Sequence, residues 1–104
     1  MEVVITEQNF EQYKNGSVPL ILDFWATWCV PCRRMSQVVT KISEKYGDRL
    51  VVGKCNVDEN PEMTEIFGIR NIPTVLLFKG GIVVDKVVGA LPQSKLEEKI
   101  EKIL

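Results

Sequence analysis

Histidine is absent from the 104 residues, and its absence removes a large class of chemistry. No Cys–His or Ser–His nucleophile pair can be built. An activated thiol here has to draw on a helix end, a lysine or arginine, or a carboxylate that accepts its proton. An excess of charge of either sign is missing too. Thirteen Lys and Arg stand against fourteen Asp and Glu, a net charge of −1, which offers no electrostatic case for nucleic acid or an anionic membrane as partner. No apolar stretch approaches the roughly 20 residues that span a bilayer. The N-terminal MEVVITEQNF lacks the basic start and apolar run of a secretory signal. Cysteine is scarce, and its count of 3 is odd; both facts fit a reducing compartment better than a secreted disulfide scaffold, so a cytoplasmic location is expected.

What is present is ordinary for a soluble globular protein: 45% hydrophobic and 26% charged residues. With no internal repeat, linker or low-complexity segment, residues 1–104 read as one domain. A chain of this size buries over half of its unfolded surface, so it folds without a covalent staple.

Val3-Val4-Ile5 reads as a short strand, after which Thr6 is placed to cap a helix carrying Phe10 and Tyr13 on one face. Leu20-Ile21-Leu22-Asp23-Phe24-Trp25 is an apolar run broken by one acid, the pattern of a strand covered on both faces. A helix starts near Pro31, which costs nothing in a first turn; Met35, Val38, Val39, Ile42 and Tyr46 recur at helical spacing and Gly47 is its stop. Leu50 to Val57 reads as a strand, and Asn60-Pro61 as N-cap and first residue of a helix ending at Gly68. Gly80-Gly81 between Thr74–Lys79 and Ile82–Val88 is a hairpin signal. Ser94 with Glu97 forms a capping-box pattern before the stripe Leu96, Ile100, Ile103 and Leu104. The order β-α-β-α-β-α-β-β-α predicts an α/β fold, a mixed central sheet with helices on both faces.

The chemistry concentrates in Trp28-Cys29-Val30-Pro31-Cys32. As a staple the pair is poor: closing a loop of about four residues stabilises by roughly 2 kcal/mol in the chain-entropy model. As a metal site it is incomplete, because zinc and iron–sulfur centres take four ligands and only Cys55 is left over, so no metal is expected. The redox reading fits the local physics. A strand hands over to a helix here, so Cys29 meets unpaired N–H groups and the positive end of the helix dipole, which favour thiolate. Residues three apart at a helix start are neighbours, so the sulfurs can join and part with little backbone movement. Cys29, nearer the mouth, is expected to attack, and Cys32, one turn on, to resolve.

FWATWCVPC resembles the active-site stretch of the thioredoxin family, and NVDENPEMTEIFGIRNIPTVLLFKGG and VGALPQSKLEEKI follow the family pattern in order and spacing, so the resemblance covers essentially the whole chain. It implies a thioredoxin-like fold and a thiol–disulfide oxidoreductase that holds no cofactor. The implied partners are disulfide-containing proteins and an NADPH-dependent flavoprotein thioredoxin reductase, and a monomer is implied. By the same resemblance, Asp23 serves the proton of Cys32, its pKa raised by burial, and Lys54 approaches that acid. Ile72-Pro73 is a cis-proline turn opposite the cysteines whose backbone takes an extended substrate segment. Trp28 packs on substrates beside Val30 and Pro31, Gly89 lets a partner's backbone approach, and Trp25 is structural. Alternatives on residue chemistry alone are an acid at a strand end facing solvent for Asp23, an exposed strand lysine for Lys54 and a plain strand-end glycine for Gly89. Cys55 reads as a small buried apolar residue.

Three positions depart from the family pattern. Val30 replaces the usual glycine and stiffens the turn, Gln37 replaces a kinking proline, so the second helix should run straighter, and Asn71 replaces the glycine before Ile72-Pro73. Val30 tunes the potential or selects partners. Two rival functions stay open at this point: a thiol oxidant or disulfide isomerase on the same fold, and a non-enzymatic binding subunit.

Overall fold

In a computed structural model, residues 1–104 are arranged as β1 (Glu2–Val4), α1 (Phe10–Lys14), β2 (Leu20–Trp25), α2 (Val30–Tyr46), a 3-10 turn (Gly47–Arg49), β3 (Val51–Asn56), α3 (Pro61–Ile66), β4 (Thr74–Lys79), β5 (Ile82–Val88) and α4 (Gln93–Glu101). This is the order the sequence predicts. The strands form one sheet, β1-β3-β2-β4-β5. β3 runs parallel to β1 and β2, whereas β4 is antiparallel to β2 and β5 to β4. Connections through a helix give the parallel pairs and the two-residue Gly80-Gly81 loop gives the antiparallel hairpin. Both glycines have positive φ, 63° and 83°, the backbone that a tight hairpin turn matching strand twist requires.

Strand alternation sorts side chains onto two cores. Ile21, Val52, Val75, Leu77 and Val87 pack against Met35, Val39, Ile42 and Tyr46 of α2 and Leu96 and Ile100 of α4. The opposite residues, Leu20, Leu22, Phe24, Val51, Cys55, Leu76 and Phe78, pack against Phe10 and Met63 of the two short helices. β2 and β4 are covered on both faces, hence their unbroken apolar runs. Gly53 is set by packing: a Cβ there would lie 2.5 Å from Ile5 Cγ1, so a side chain would force β1 away.

Of the three helix starts predicted from a capping side chain, two are displaced and the third lacks its side-chain cap bond. Helix α1 starts later than Thr6, with Asn9 at its N-cap position; Asn9 Oδ1 instead accepts the Thr6 N–H at 2.8 Å, closing a local turn. Asn60 is the N-cap residue of α3 and Pro61 its first residue, as predicted, but the Asn60 side-chain oxygen accepts from Glu7 N and not from the helix. The first turn of α3 is satisfied by Glu7, whose Oε2 accepts from Met63 N at 2.9 Å, a cap from a distant segment that local sequence cannot announce. Helix α4 begins at Gln93 behind Pro92, so Ser94 sits inside the first turn, and Glu97 accepts from Gln93 Nε2 and Lys45 Nζ instead of closing a box. Packing of Leu96 and Ile100 into the core sets where that helix starts, while Leu104 is exposed and lies outside the stripe.

Candidate active site

The strand-to-helix handover at the C-terminal end of β2 positions the cysteines. Cys29 is the N-cap of α2, with extended backbone (φ −96°, ψ 109°), and Val30 and Pro31 open the helix. Pro31 sits where no intrahelical N–H is lost. Helix α2 runs over 17 residues, with Gln37 in its interior. Cys29 Sγ accepts a hydrogen bond from Cys32 N at 3.2 Å. Sulfur thus takes the place of the usual oxygen cap, where orphan N–H groups and the dipole favour negative charge. Cys29 and Cys32 form a disulfide, their Cα atoms 5.3 Å apart.

Both cysteines are buried, Cys29 at 4% exposure and Cys32 at 2%, so the expected contrast between a mouth and a deeper thiol is slight in the disulfide form. Around them Trp28 and Val30 are 66% and 69% exposed, and Pro31 is exposed as well. Trp28 is oriented by its indole N–H, which donates to Asp58 Oδ2 at 2.9 Å. Trp25, as expected, is a packing residue; it lies against Ala26 and the two cysteines. Across the site the Ile72–Pro73 bond is cis, and the Ile72 carbonyl oxygen lies 3.7 Å from Cys29 Sγ. Pro73 is buried, and its carbonyl accepts from Gly89 N at 2.8 Å. Gly89 has φ +90°, so its backbone, not open space around it, demands glycine. Asn71 holds the turn with its carbonyl, which accepts from Thr74 Oγ1 at 2.6 Å.

Asp23 lies on the face of β2 that α2 covers, and it is completely buried. Neither carboxyl oxygen has a hydrogen-bond partner. Burial pushes its pKa from 3.8 to about 7, an effect reduced by the Lys54 charge and reinforced by that of Glu2. The solvent-facing alternative for this acid is ruled out. Lys54 is its register partner on β3, yet its ammonium goes elsewhere: to Ser36 Oγ at 2.6 Å, Thr40 Oγ1 at 3.3 Å and Glu2 Oε2 at 3.5 Å. Sequence reading missed Glu2, Ser36 and Thr40. Helical spacing links the last two, but Glu2 joins them only once β1 is known to pair with β3. An open pocket of about 340 Å³ flanks Cys32, lined by Trp25, Ala26, Thr27, Arg33 and Ser36. Cys55 is away from this site, fully buried in the other core, and burial raises its thiol to about 12.

Comparison with known proteins matches the sequence to one family. The family model described as "Thioredoxin" matches residues 1–102. The chain belongs to the thioredoxin family. It is 45% identical over 102 residues to the thioredoxin of Alicyclobacillus acidocaldarius, covering 98% of this chain and 97% of that protein. It is 46% identical over 101 residues to thioredoxin 1 of Nostoc sp., covering 96% and 94%. The thioredoxin of Porphyra purpurea is 45% identical over 101 residues, again covering 96% and 94%. The chain is therefore a dithiol–disulfide oxidoreductase with a CxxC redox pair, a protein-disulfide reductase. No helix is long and apolar enough to cross a membrane.

Proposed function

We propose that the chain, acting as a single domain and a monomer, reduces disulfides of other proteins in the cytoplasm with Cys29 as nucleophile and Cys32 as resolving thiol. The observation that carries this order is the Cys29 sulfur at the N-cap of α2, accepting from Cys32 N. A negative sulfur is stabilised there and an attacking thiolate follows. The Cys29 thiolate attacks one sulfur of the substrate disulfide; a mixed disulfide forms and the other substrate sulfur leaves as thiolate. Asp23 takes the Cys32 proton, and the Cys32 thiolate attacks Cys29 Sγ. The second substrate sulfur departs, leaving the Cys29–Cys32 bond. Two electrons pass to the substrate and the dithiol is oxidised.

A carboxyl with a pKa of about 7 is matched to this proton transfer at neutral pH, and Lys54 adjusts its charge. Trp28, Val30 and Pro31 make an apolar rim for the substrate, opposite the turn at Ile72 and Pro73. The Ile72 backbone, outside every strand, pairs with an extended substrate segment, and Gly89 lets that segment come close. Resetting needs an outside electron donor, here an NADPH-dependent flavoprotein thioredoxin reductase; the chain itself carries no cofactor and no metal. The odd cysteine count supports a reducing compartment.

Replacing Cys32 with serine should trap substrates on Cys29 as dithiothreitol-sensitive adducts. If adducts form instead on Cys32 of a Cys29→Ser variant, and none form on Cys29, the order of attack is reversed.

A further inference from the structure

The ammonium of Lys54 raises a question of satisfiability. It has three N–H donors, and three acceptors surround it: Ser36 Oγ at 2.6 Å, Thr40 Oγ1 at 3.3 Å and Glu2 Oε2 at 3.5 Å. Two of these contacts are hydrogen bonds and the third is an ion pair, and none of them reaches Asp23, whose two oxygens have no partner although Lys54 is its neighbour in strand register. Glu2 is itself fixed, because Thr40 Oγ1 donates to Glu2 Oε1 at 2.6 Å. One carboxylate therefore engages both groups. Alternation explains the meeting: Asp23 on β2 and Lys54 on β3 share the face covered by α2, and Glu2 pairs with Val52, two residues along the same face. Helix α2 delivers Ser36 and Thr40, one turn apart, above them.

We propose that Glu2, locked by Thr40, is a positioning residue that holds the Lys54 ammonium off Asp23 and so keeps the Asp23 carboxylate a strong enough base to accept a proton. Were Lys54 to donate to Asp23, the pair would hold the carboxylate charged, and a carboxylate stabilised in that way is a weak base. The charged and titratable groups around Asp23 are few. β1 gives Glu2 and β3 gives Lys54 and, from its opposite face, Cys55, whose thiol the Asp23 charge helps to raise; the β4 neighbour is Val75, which carries no charge. α2 gives Ser36 and Thr40, with Cys32 and the exposed Arg33 at the pocket beyond. Glu2 is thus placed to act on Asp23 both directly and through Lys54. The consequence for turnover rests on Asp23 being the acceptor for Cys32, as proposed above; the positioning does not.

The test is site-resolved NMR titration of the Asp23 carboxyl carbon in the disulfide form, where neither Cys29 nor Cys32 titrates and no histidine interferes. Glu2→Gln should lower the Asp23 midpoint by about one pH unit, since an opposite charge brought close favours the carboxylate. Thr40→Val, a second route to freeing Lys54, should move it the same way. In a Lys54→Met background the Glu2→Gln shift should fall by at least half, leaving only the direct charge effect. An unmoved midpoint in both single variants, or an undiminished Glu2→Gln shift without Lys54, overturns the proposal; a loss of stability alone does the same. The pH profile of mixed-disulfide resolution separates the two readings. If it moves with the midpoint, both stand. If the midpoint moves and the profile does not, the positioning stands and Asp23 is not the acceptor.

Discussion

Replacing Asp23 with asparagine should stabilise the protein, and by an amount that depends on pH. The side chain is fully buried without a hydrogen-bond partner, and its pKa rises from 3.8 in the unfolded chain to about 7 in the fold. Between those values the folded state binds the extra proton, so stability falls as pH rises through that window. Below pH 3.8 both states are protonated and Asp23 has no linkage cost. Above pH 7 the cost is complete: about three pH units at 1.36 kcal/mol each, or roughly 4 kcal/mol. That is a large share of the 5–15 kcal/mol typical of a folded domain. Asparagine fills the same volume and never ionises. Its amide carries a desolvation cost of its own, about 1–3 kcal/mol, but that cost does not vary with pH. The informative quantity is therefore the difference between two pH values. The gain from Asp23→Asn should be larger at pH 8 than at pH 5 by roughly 2–3 kcal/mol, which in urea unfolding of the disulfide form moves the midpoint difference by roughly 1–2 M. A gain that is flat across this range would refute the reasoning, because it would mean that Asp23 is not held neutral by burial.

Other positions give sharper local tests. Cys55, fully buried with its thiol at about 12, should ignore Ellman's reagent in the native disulfide form and react once denaturant is added; Cys55→Ser should cost about 1–3 kcal/mol by burying a hydroxyl without a partner. Gly53→Ala, whose Cβ meets Ile5 Cγ1 at 2.5 Å, should cost about 1–3 kcal/mol and lower Tm visibly by calorimetry. Val30→Gly removes an exposed side chain in the first turn of α2, so unfolding free energy should change by less than about 0.5 kcal/mol; a larger loss would show that Val30 serves the fold and not the redox site.

Strand and helix order, the hairpin at Gly80-Gly81 and the stop at Gly47 were legible because each rests on a local rule: period, turn chemistry or positive φ. The redox pair was legible for a similar reason, since Cys29 at a helix start carries its own electrostatics. Asp23 stood out as the one acid in an apolar strand. Caps failed where a distant group competed for the same donors, as with Glu7 on α3, or where core packing set the helix start, as with Pro92 ahead of Ser94. The surroundings of Lys54 were beyond local reading altogether. Its place beside Asp23 follows from strand register, but its contacts with Glu2, Ser36 and Thr40 depend on three elements meeting on one face.

The most direct test of the account is the equilibrium reduction potential of the Cys29–Cys32 couple in a glutathione or dithiothreitol buffer series. A reductase needs a couple at or below the cytosolic glutathione poise, about −220 to −260 mV by extraction, and that is the predicted result. A value near or above about −180 mV would contradict it, because such a couple passes disulfides to its partners and does not remove them.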